Sequence, residues 1–312
     1  MQTPARSFER ATVERALPMT LFLARRESFA TVGSTNDVVR EWLAAGAPEV
    51  CLAVSDEQST GRGRERRSWV APSGAALLLS LGFRPTWLPA DQTWRLAAVA
   101  SLAMADAAEC LADLPAGSIR LKWPNDLVVE MGKTGEPAEP AGPAEPAEPA
   151  GPAEPAALRK IAGVLGETDG LGTADPRVVI GLGINADWAA ADFPPDIAGS
   201  MTSLREVARG RQIDRNVLLD DFLARLESGV AALRAGDFDG NAWSDRQSTT
   251  GRMIHLMRQD RDEIVRALGV DPVSGALFVE DPATSGGRRV LVGEITHVRI
   301  AEQIAEQIPE MV

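Results

Sequence analysis

Apolar positions along the chain form two kinds of run. Between residues 75 and 83 nearly every side chain is apolar, which predicts a strand buried on both faces. Val38, Val39, Trp42 and Leu43 instead recur at helical spacing behind Ser34, Thr35 and Asn36, any of which can cap a helix that Gly46 stops. Residues 92–111 read as an Ala-rich amphipathic helix. Residues 213–233 read as a second long helix, with Leu218, Phe222, Leu226, Val230 and Leu233 on one stripe. Further strands are expected at residues 50–55, 121–131, 158–167 and 177–185.

Together these elements predict an α/β (α+β) domain built on a mixed sheet. Residues 135–157 repeat Glu-Pro-Ala and Gly-Pro-Ala units without a large apolar side chain, so burial cannot offset the entropy of ordering them. They read as a disordered insertion in the hairpin formed by the strands on either side. After Asn241 the character changes, and turn-rich stretches with short strands around residues 271–275 and 281–287 predict a small β-barrel-like domain. The expected division is therefore 1–240 and 241–312.

Composition narrows the class. Of 312 residues, 45% are hydrophobic and 24% charged, which fits an ordinary folded protein rather than a disordered or fibrous one. Cys51 and Cys110 belong to no CxxC or Cys/His cluster, so buried thiols in a reducing compartment are expected. With no apolar run of about 18 residues and charged residues near the N-terminus, a cytoplasmic location without membrane contact is expected. A net charge of −12 disfavours nonspecific nucleic-acid binding, although Glu136, Glu139, Glu145, Glu148 and Glu154 all lie in the insertion. Any cationic site must therefore be local.

One such concentration exists. From Gln58 to Trp69 the chain sets Gly61 and Gly63 among Arg62, Arg64, Arg66 and Arg67. Glycines let backbone amides approach an anion, and guanidinium groups bind phosphate two-pronged, so the segment predicts an anion site; alone, it fits a solvated basic loop equally well. Neither a Walker A loop nor a GxGxxG turn is present, which removes support from ordinary kinases and dehydrogenases. In Lys122-Trp123-Pro124-Asn125-Asp126 a strand should end in a turn, with Lys122 and Asp126 a strand-end ion pair on the bland reading. Lys160 opens a strand whose Gly163 and Gly166 allow close approach of a ligand, and Gly181, Gly183 and Asn185 end another. His255 and His297 lack a catalytic partner and are assigned structural roles.

In this order, Gly33-Ser34-Thr35-Asn36, Gly61-Arg62-Gly63-Arg64 with Trp69, Lys122 to Asp126, Lys160-Ile161-Ala162-Gly163 and Gly181 to Asn185 resemble the biotin protein ligase family. The resemblance is strong from residue 28 to 187 and fainter over 249–299, where that family has an SH3-like domain. It implies that biotin's carboxylate attacks the α-phosphate of ATP with Mg2+ present, and that a lysine of a biotin carboxyl carrier domain of an acyl-CoA carboxylase, such as acetyl-CoA carboxylase, attacks the resulting anhydride. It further implies that Ser34, Thr35, Asn36, Gln58, Gly61, Arg62, Gly163 and Gly183 bind biotin. Arg64, Arg67, Trp69, Lys160 and Asn185 would hold ATP or the adenylate, with Lys160, Arg64 and then Lys122 catalytic. Asp126 would give polar or magnesium support without a fixed protein-only metal site. The arginine loop departs from the family at Glu65-Arg66, where relatives often carry a basic residue and glycine. About 27 residues precede the resemblance, too few for a helix-turn-helix domain, so DNA binding is not expected, while a homodimer is admitted. Rival readings are a lipoate protein ligase and a noncatalytic biotin or nucleotide sensor; the arginine loop with Trp69 and the Lys122 to Asp126 motif favour biotin.

Overall fold

Leu77, Leu79, Leu81 and Phe83 leave their strand on one side and Leu78, Ser80 and Gly82 on the other, and this alternation gives the main sheet two unlike faces. The computed structural model describes residues 11–12, 22–132, 157–257, 262–281, 283, 286–292 and 297–300. Of the expected insertion, only Ala157 falls within them. The sheet comprises β1 (Ala11–Thr12), β2 (Arg25–Val32), β3 (Cys51–Gln58), β4 (Ala76–Phe83), β5 (Ile119–Lys122), β6 (Asp126–Met131), β7 (Ala157–Asp169) and β8 (Arg177–Asn185), in the order β1-β2-β3-β4-β8-β7-β6-β5. β2 and β3 run parallel and every other pair antiparallel.

The aliphatic face carries Leu52, Val54, Leu77, Leu79, Ile180, Leu182 and Val164, packed with α2 (Trp94–Ala112) and α5 (Arg215–Arg234). On the other face α1 (Thr35–Ala44) lays Val38, Val39, Trp42 and Leu43 against Phe29, Cys51, Ala53 and Val179. Both long helices and α1 lie close to where periodicity predicts them. The short helices α3 (Pro195–Ala198), α4 (Leu204–Val207) and α6 (Gly240–Asp245) fill connections.

β9 (Met253–Met257), β10 (Asp262–Val270), β11 (Leu277–Glu280), β12 (Gly287–Val290) and β13 (His297–Ile300) form an antiparallel sheet in the order β12-β11-β10-β9-β13. Its Leu256, Ala267, Leu277 and Ile300 share one continuous core with α2 and α5. Trp123 ties this sheet to the β5–β6 turn, its indole nitrogen donating to the Gly275 carbonyl at 3.0 Å.

Three expectations need correction. Residues 121–131 are not one strand but the end of β5, a turn and β6, with Lys122 opposite Asp126. Pro124 has no N–H to continue a ladder, and the chain reverses there. The stretch at 271–275 is a turn between β10 and β11 rather than a strand, Asp271 Oδ1 accepting from the Val273 amide and Gly275 sitting at φ +72°, while of 281–287 the described residues 281, 283 and 286 lie outside strands and Gly287 opens β12. Cys110 is exposed on α2 rather than buried, whereas Cys51 is buried as expected. The β6–β7 hairpin forms as predicted, Met131 facing Ala157 across it.

Candidate active site

Small residues open a space on the α1 side of the sheet. Ser80 pairs with Gly181, Leu78 with Gly183 and Gly183 with Gly163, so three strands present a patch almost without side chains. A Cβ on Gly183 would lie 2.7 Å from the Trp69 ring, and one on Gly163 would lie 3.3 Å from it. The glycines thus let the indole lie flat across β7 and β8. Leu165, which shares the face of Gly163 and Gly181, completes the apolar lining of the pocket beneath.

The start of α1 supplies its polar end. Gln58 Oε1 accepts from the Thr35 amide at 2.8 Å and from its hydroxyl at 3.1 Å. Ser80 Oγ stands 2.6 Å from Asn36 Oδ1 and 2.7 Å from Thr35 Oγ1. Asn36 Nδ2 donates to Glu167 Oε2 at 2.8 Å, and Gly181 makes room for Asn36, whose oxygen would be 2.2 Å from an added Cβ. Buried polar groups bound in this manner keep one orientation.

Residues 61–69 fold back as a miniature hairpin. Trp69 N donates to Gly61 O at 2.9 Å, Arg62 bridges to Ser68, and Gly63 N donates to Arg67 O at 2.7 Å. Glu65 takes a left-handed conformation at the tip, φ 54°. Arg62 donates through both terminal nitrogens to the Asp37 carboxylate, each bond 2.7 Å, and this pairing holds its guanidinium more firmly in the charged form. Burial pushes the Arg64 guanidinium down from its ordinary value, and its Nη2 donates to the Val292 carbonyl at 3.1 Å. Arg67 is exposed and lines both the pocket and the cavity beside it.

Lys160 stands where those two spaces meet. Its Nζ is 2.7 Å from Asp126 Oδ1 and 5.2 Å from the centre of the Trp69 ring. The neighbouring cavity adds Lys122, Ser200, Met201 and Arg299. Lys122 is pushed down by burial first, with Asp126 opposing and Lys160, Arg299 and Arg67 adding to the fall. One carboxylate is thus surrounded by cations. Such a place suits an anion bearing several charges, beside a mostly apolar slot with a few fixed donors and acceptors. Among the described residues no three metal-ligating side chains cluster, so they build no protein-only metal cage.

Of the residues singled out in the sequence, Ser34, Thr35, Asn36, Gln58, Arg62, Arg64, Arg67, Trp69, Asp126, Lys160, Gly163 and Gly183 line the pocket together. Lys122 faces the adjoining cavity. Gly61 shapes the hairpin base, where a Cβ would be 2.4 Å from Trp69 O. Asn185 lies outside both linings, buried with its Nδ2 on the Thr202 carbonyl at 2.9 Å. Asp37, Ser80, Leu165, Gly181 and Glu167 were not singled out as site residues. For Gly181 and Ser80 a signal existed, since strand alternation places them on the face of Gly183.

Residues 28–185 match the Biotin/lipoate A/B protein ligase family. The chain is 28% identical over 274 residues to a biotin--[acetyl-CoA-carboxylase] ligase of Mycobacterium tuberculosis, covering 86% of this chain and 88% of that one. It is 30% identical over 255 residues to the bifunctional ligase/repressor BirA of Escherichia coli, covering 80% and 67%. A solved biotin protein ligase from Aquifex aeolicus, in complex with biotin and ATP, shares the fold with a TM-score of 0.66, 22% identity and coverage of 90% and 100%.

Proposed function

Because the chain belongs to the biotin/lipoate A/B protein ligase family, we propose that it is an ATP-dependent biotin protein ligase that joins biotin to a lysine of a carboxylase carrier domain. The single observation that carries this reading is the shared boundary at Lys160 and Trp69, with a glycine-floored slot on one side and a multiply cationic cavity on the other.

The ring system of biotin occupies the slot beside the Trp69 indole, with its ureido group facing the polar cluster of Ser34, Thr35, Asn36 and Gln58. ATP lies across the second cavity with its phosphates toward Arg64, Arg67 and Lys160. The biotin carboxylate attacks the α-phosphorus, an acyl–phosphate bond forms as the bond to pyrophosphate breaks, and Lys160 neutralises charge on the oxygens of both partners. A deprotonated lysine amine of the carrier then attacks the acyl carbon, and AMP leaves. Trp69 Nε1 is buried without a hydrogen-bond partner among the described residues, and it supplies a donor to the adenylate. The hairpin above excludes water from an anhydride that hydrolyses readily.

Magnesium bound with the nucleotide would offset charge on its phosphates, the usual chemistry of this ion. Asp126, engaged by Lys160, positions the lysine more than it serves a metal. The acceptor is the carrier domain of an acetyl-CoA or related acyl-CoA carboxylase, and the reaction takes place in the cytoplasm. The catalytic region ends near residue 240, and the second sheet forms a separate unit of sequence. Asn185, at the end of β8 with its Nδ2 on the Thr202 carbonyl, stays assigned to the adenylate side of the site.

The test is direct. Purified chain, ATP, Mg2+ and a biotin carrier domain are incubated with biotin or with lipoate, and the carrier is weighed by mass spectrometry. Biotin addition alone is expected; lipoate addition alone, or binding without any mass gain, overturns the proposal.

A further inference from the structure

Resting on the ligase reading, we propose that Asp37 is a positioning residue: with Glu167 it holds the Arg62 guanidinium at the pocket mouth, and so sets the 61–69 hairpin over the glycine floor. Arg62 meets Asp37 in a two-pronged bond of 2.7 Å per arm, and its Nη2 lies 3.7 Å from Glu167 Oε1. Both carboxylates are themselves held. Asp37 sits in the first turn of α1, whose apolar face is buried, and also pairs with Arg40 at 3.2 Å. Glu167 accepts from Asn36 at 2.8 Å and from Arg40 at 2.6 Å. A side chain gripped between a helix and a strand transmits their rigidity to its own backbone.

That backbone is the first cross-link of the hairpin, bridging to Ser68, one residue before Trp69. Holding Arg62 therefore fixes where the indole lands, on Gly163 and Gly183. All three side chains are roughly a third exposed, at 34%, 38% and 28% for Arg62, Asp37 and Glu167, so solvent screens the pair only in part. Asp37 touches no reacting atom in this scheme. It acts through Arg62, and its loss should affect substrate capture rather than the chemical step.

The experiment compares wild type with Asp37→Asn, Asp37→Glu, Arg62→Ala and the double variant Asp37→Asn/Arg62→Ala. Adenylation is followed as pyrophosphate release at varied biotin, and trypsin cleavage after Arg62, Arg64 and Arg67 is followed by mass spectrometry. Asp37→Asn should raise the biotin KM about 10-fold with kcat within about 2-fold, the pattern of lost binding rather than lost chemistry. Its hairpin should be cut about 10-fold faster while the melting temperature holds, because cleavage tracks the open population. Asp37→Glu should recover part of both effects, and the double variant should be no worse than Arg62→Ala. Unchanged KM and unchanged cleavage in a folded Asp37→Asn protein overturn the proposal. Should Asp37→Asn not fold, Glu167→Gln is read by the same two measurements. A wild type that releases no pyrophosphate with biotin sinks the ligase reading alone, since the cleavage comparison still decides the positioning claim.

Discussion

Lys160 Nζ lies 2.7 Å from Asp126 Oδ1, across the paired strands β7 and β6. The same ammonium faces the Trp69 ring at 5.2 Å, which links the strand that carries Lys160 to the arginine hairpin. A cation held by one carboxylate and one indole has a fixed position but spare donor capacity, as a group that must meet two successive oxyanions requires.

Lys160→Ala should lower carrier labelling by at least about 100-fold, the scale of losing one preorganised charge at a developing oxyanion. Thermal unfolding should remain cooperative, because the side chain is partly exposed and its strand is held by neighbours on both sides. Near-normal turnover would remove the catalytic assignment.

Gly183→Ala and Gly181→Ala should fail differently. At Gly183 the new methyl would sit 2.7 Å from the Trp69 ring, which can lift away with its hairpin, so activity should fall more than stability. At Gly181 it would sit 2.2 Å from Asn36 Oδ1, an atom held by Ser80, and a stability loss of about 1–3 kcal/mol is expected in urea melts. Equal destabilisation by both would contradict the picture of a movable indole.

Glu65 occupies a left-handed backbone position at φ 54°. Glu65→Gly removes the clash that a Cβ meets there, and the hairpin should gain about 1 kcal/mol, seen as slower trypsin cleavage within residues 61–69.

The two cysteines should separate in a thiol titration. Cys110 is exposed and should react with an aromatic disulfide reagent in the native protein. Cys51 is buried, its Sγ lies 3.1 Å from the Pro48 carbonyl, and burial raises its pKa; it should react only after denaturant is added. Two fast thiols in the native state would refute the placement of β3.

Lys122 sets a pH dependence of stability. Burial depresses its pKa, so between that lowered value and the ordinary lysine value the unfolded chain binds more protons than the folded one. Stability from this group therefore rises with pH through that window, and below it the cost of the buried charge is present in full. Lys122→Met should flatten the stability profile measured by urea melts on the acid side of the ordinary lysine value of about 10.4. An unchanged slope would place the ammonium in solvent.

Much of the scaffold was legible because periodicity is a local property. The spacing of Val38, Val39, Trp42 and Leu43 marks a helix wherever it packs, and residues 177–185 form β8 with the limits that their apolar run suggests. The site was legible only in outline. Arginines and glycines crowded into one loop announce anion chemistry, but the packing of Gly61 against Trp69 O and the bond of Asn185 to Thr202 depend on tertiary neighbours.

What the sequence determined alone was element type and the concentration of charge: helices from spacing, buried strands from apolar runs, and a cationic loop from four arginines within six residues. What only the tertiary structure decided was pairing. Asp37 holds Arg62 from 25 residues away, and Glu167 binds Asn36 from 131 residues away, because the order of strands in the sheet brings them to one edge of the pocket. Chain spacing says nothing about such distances: a hydrogen bond depends on where two backbones lie in space, and that is settled only when the whole sheet closes over its core.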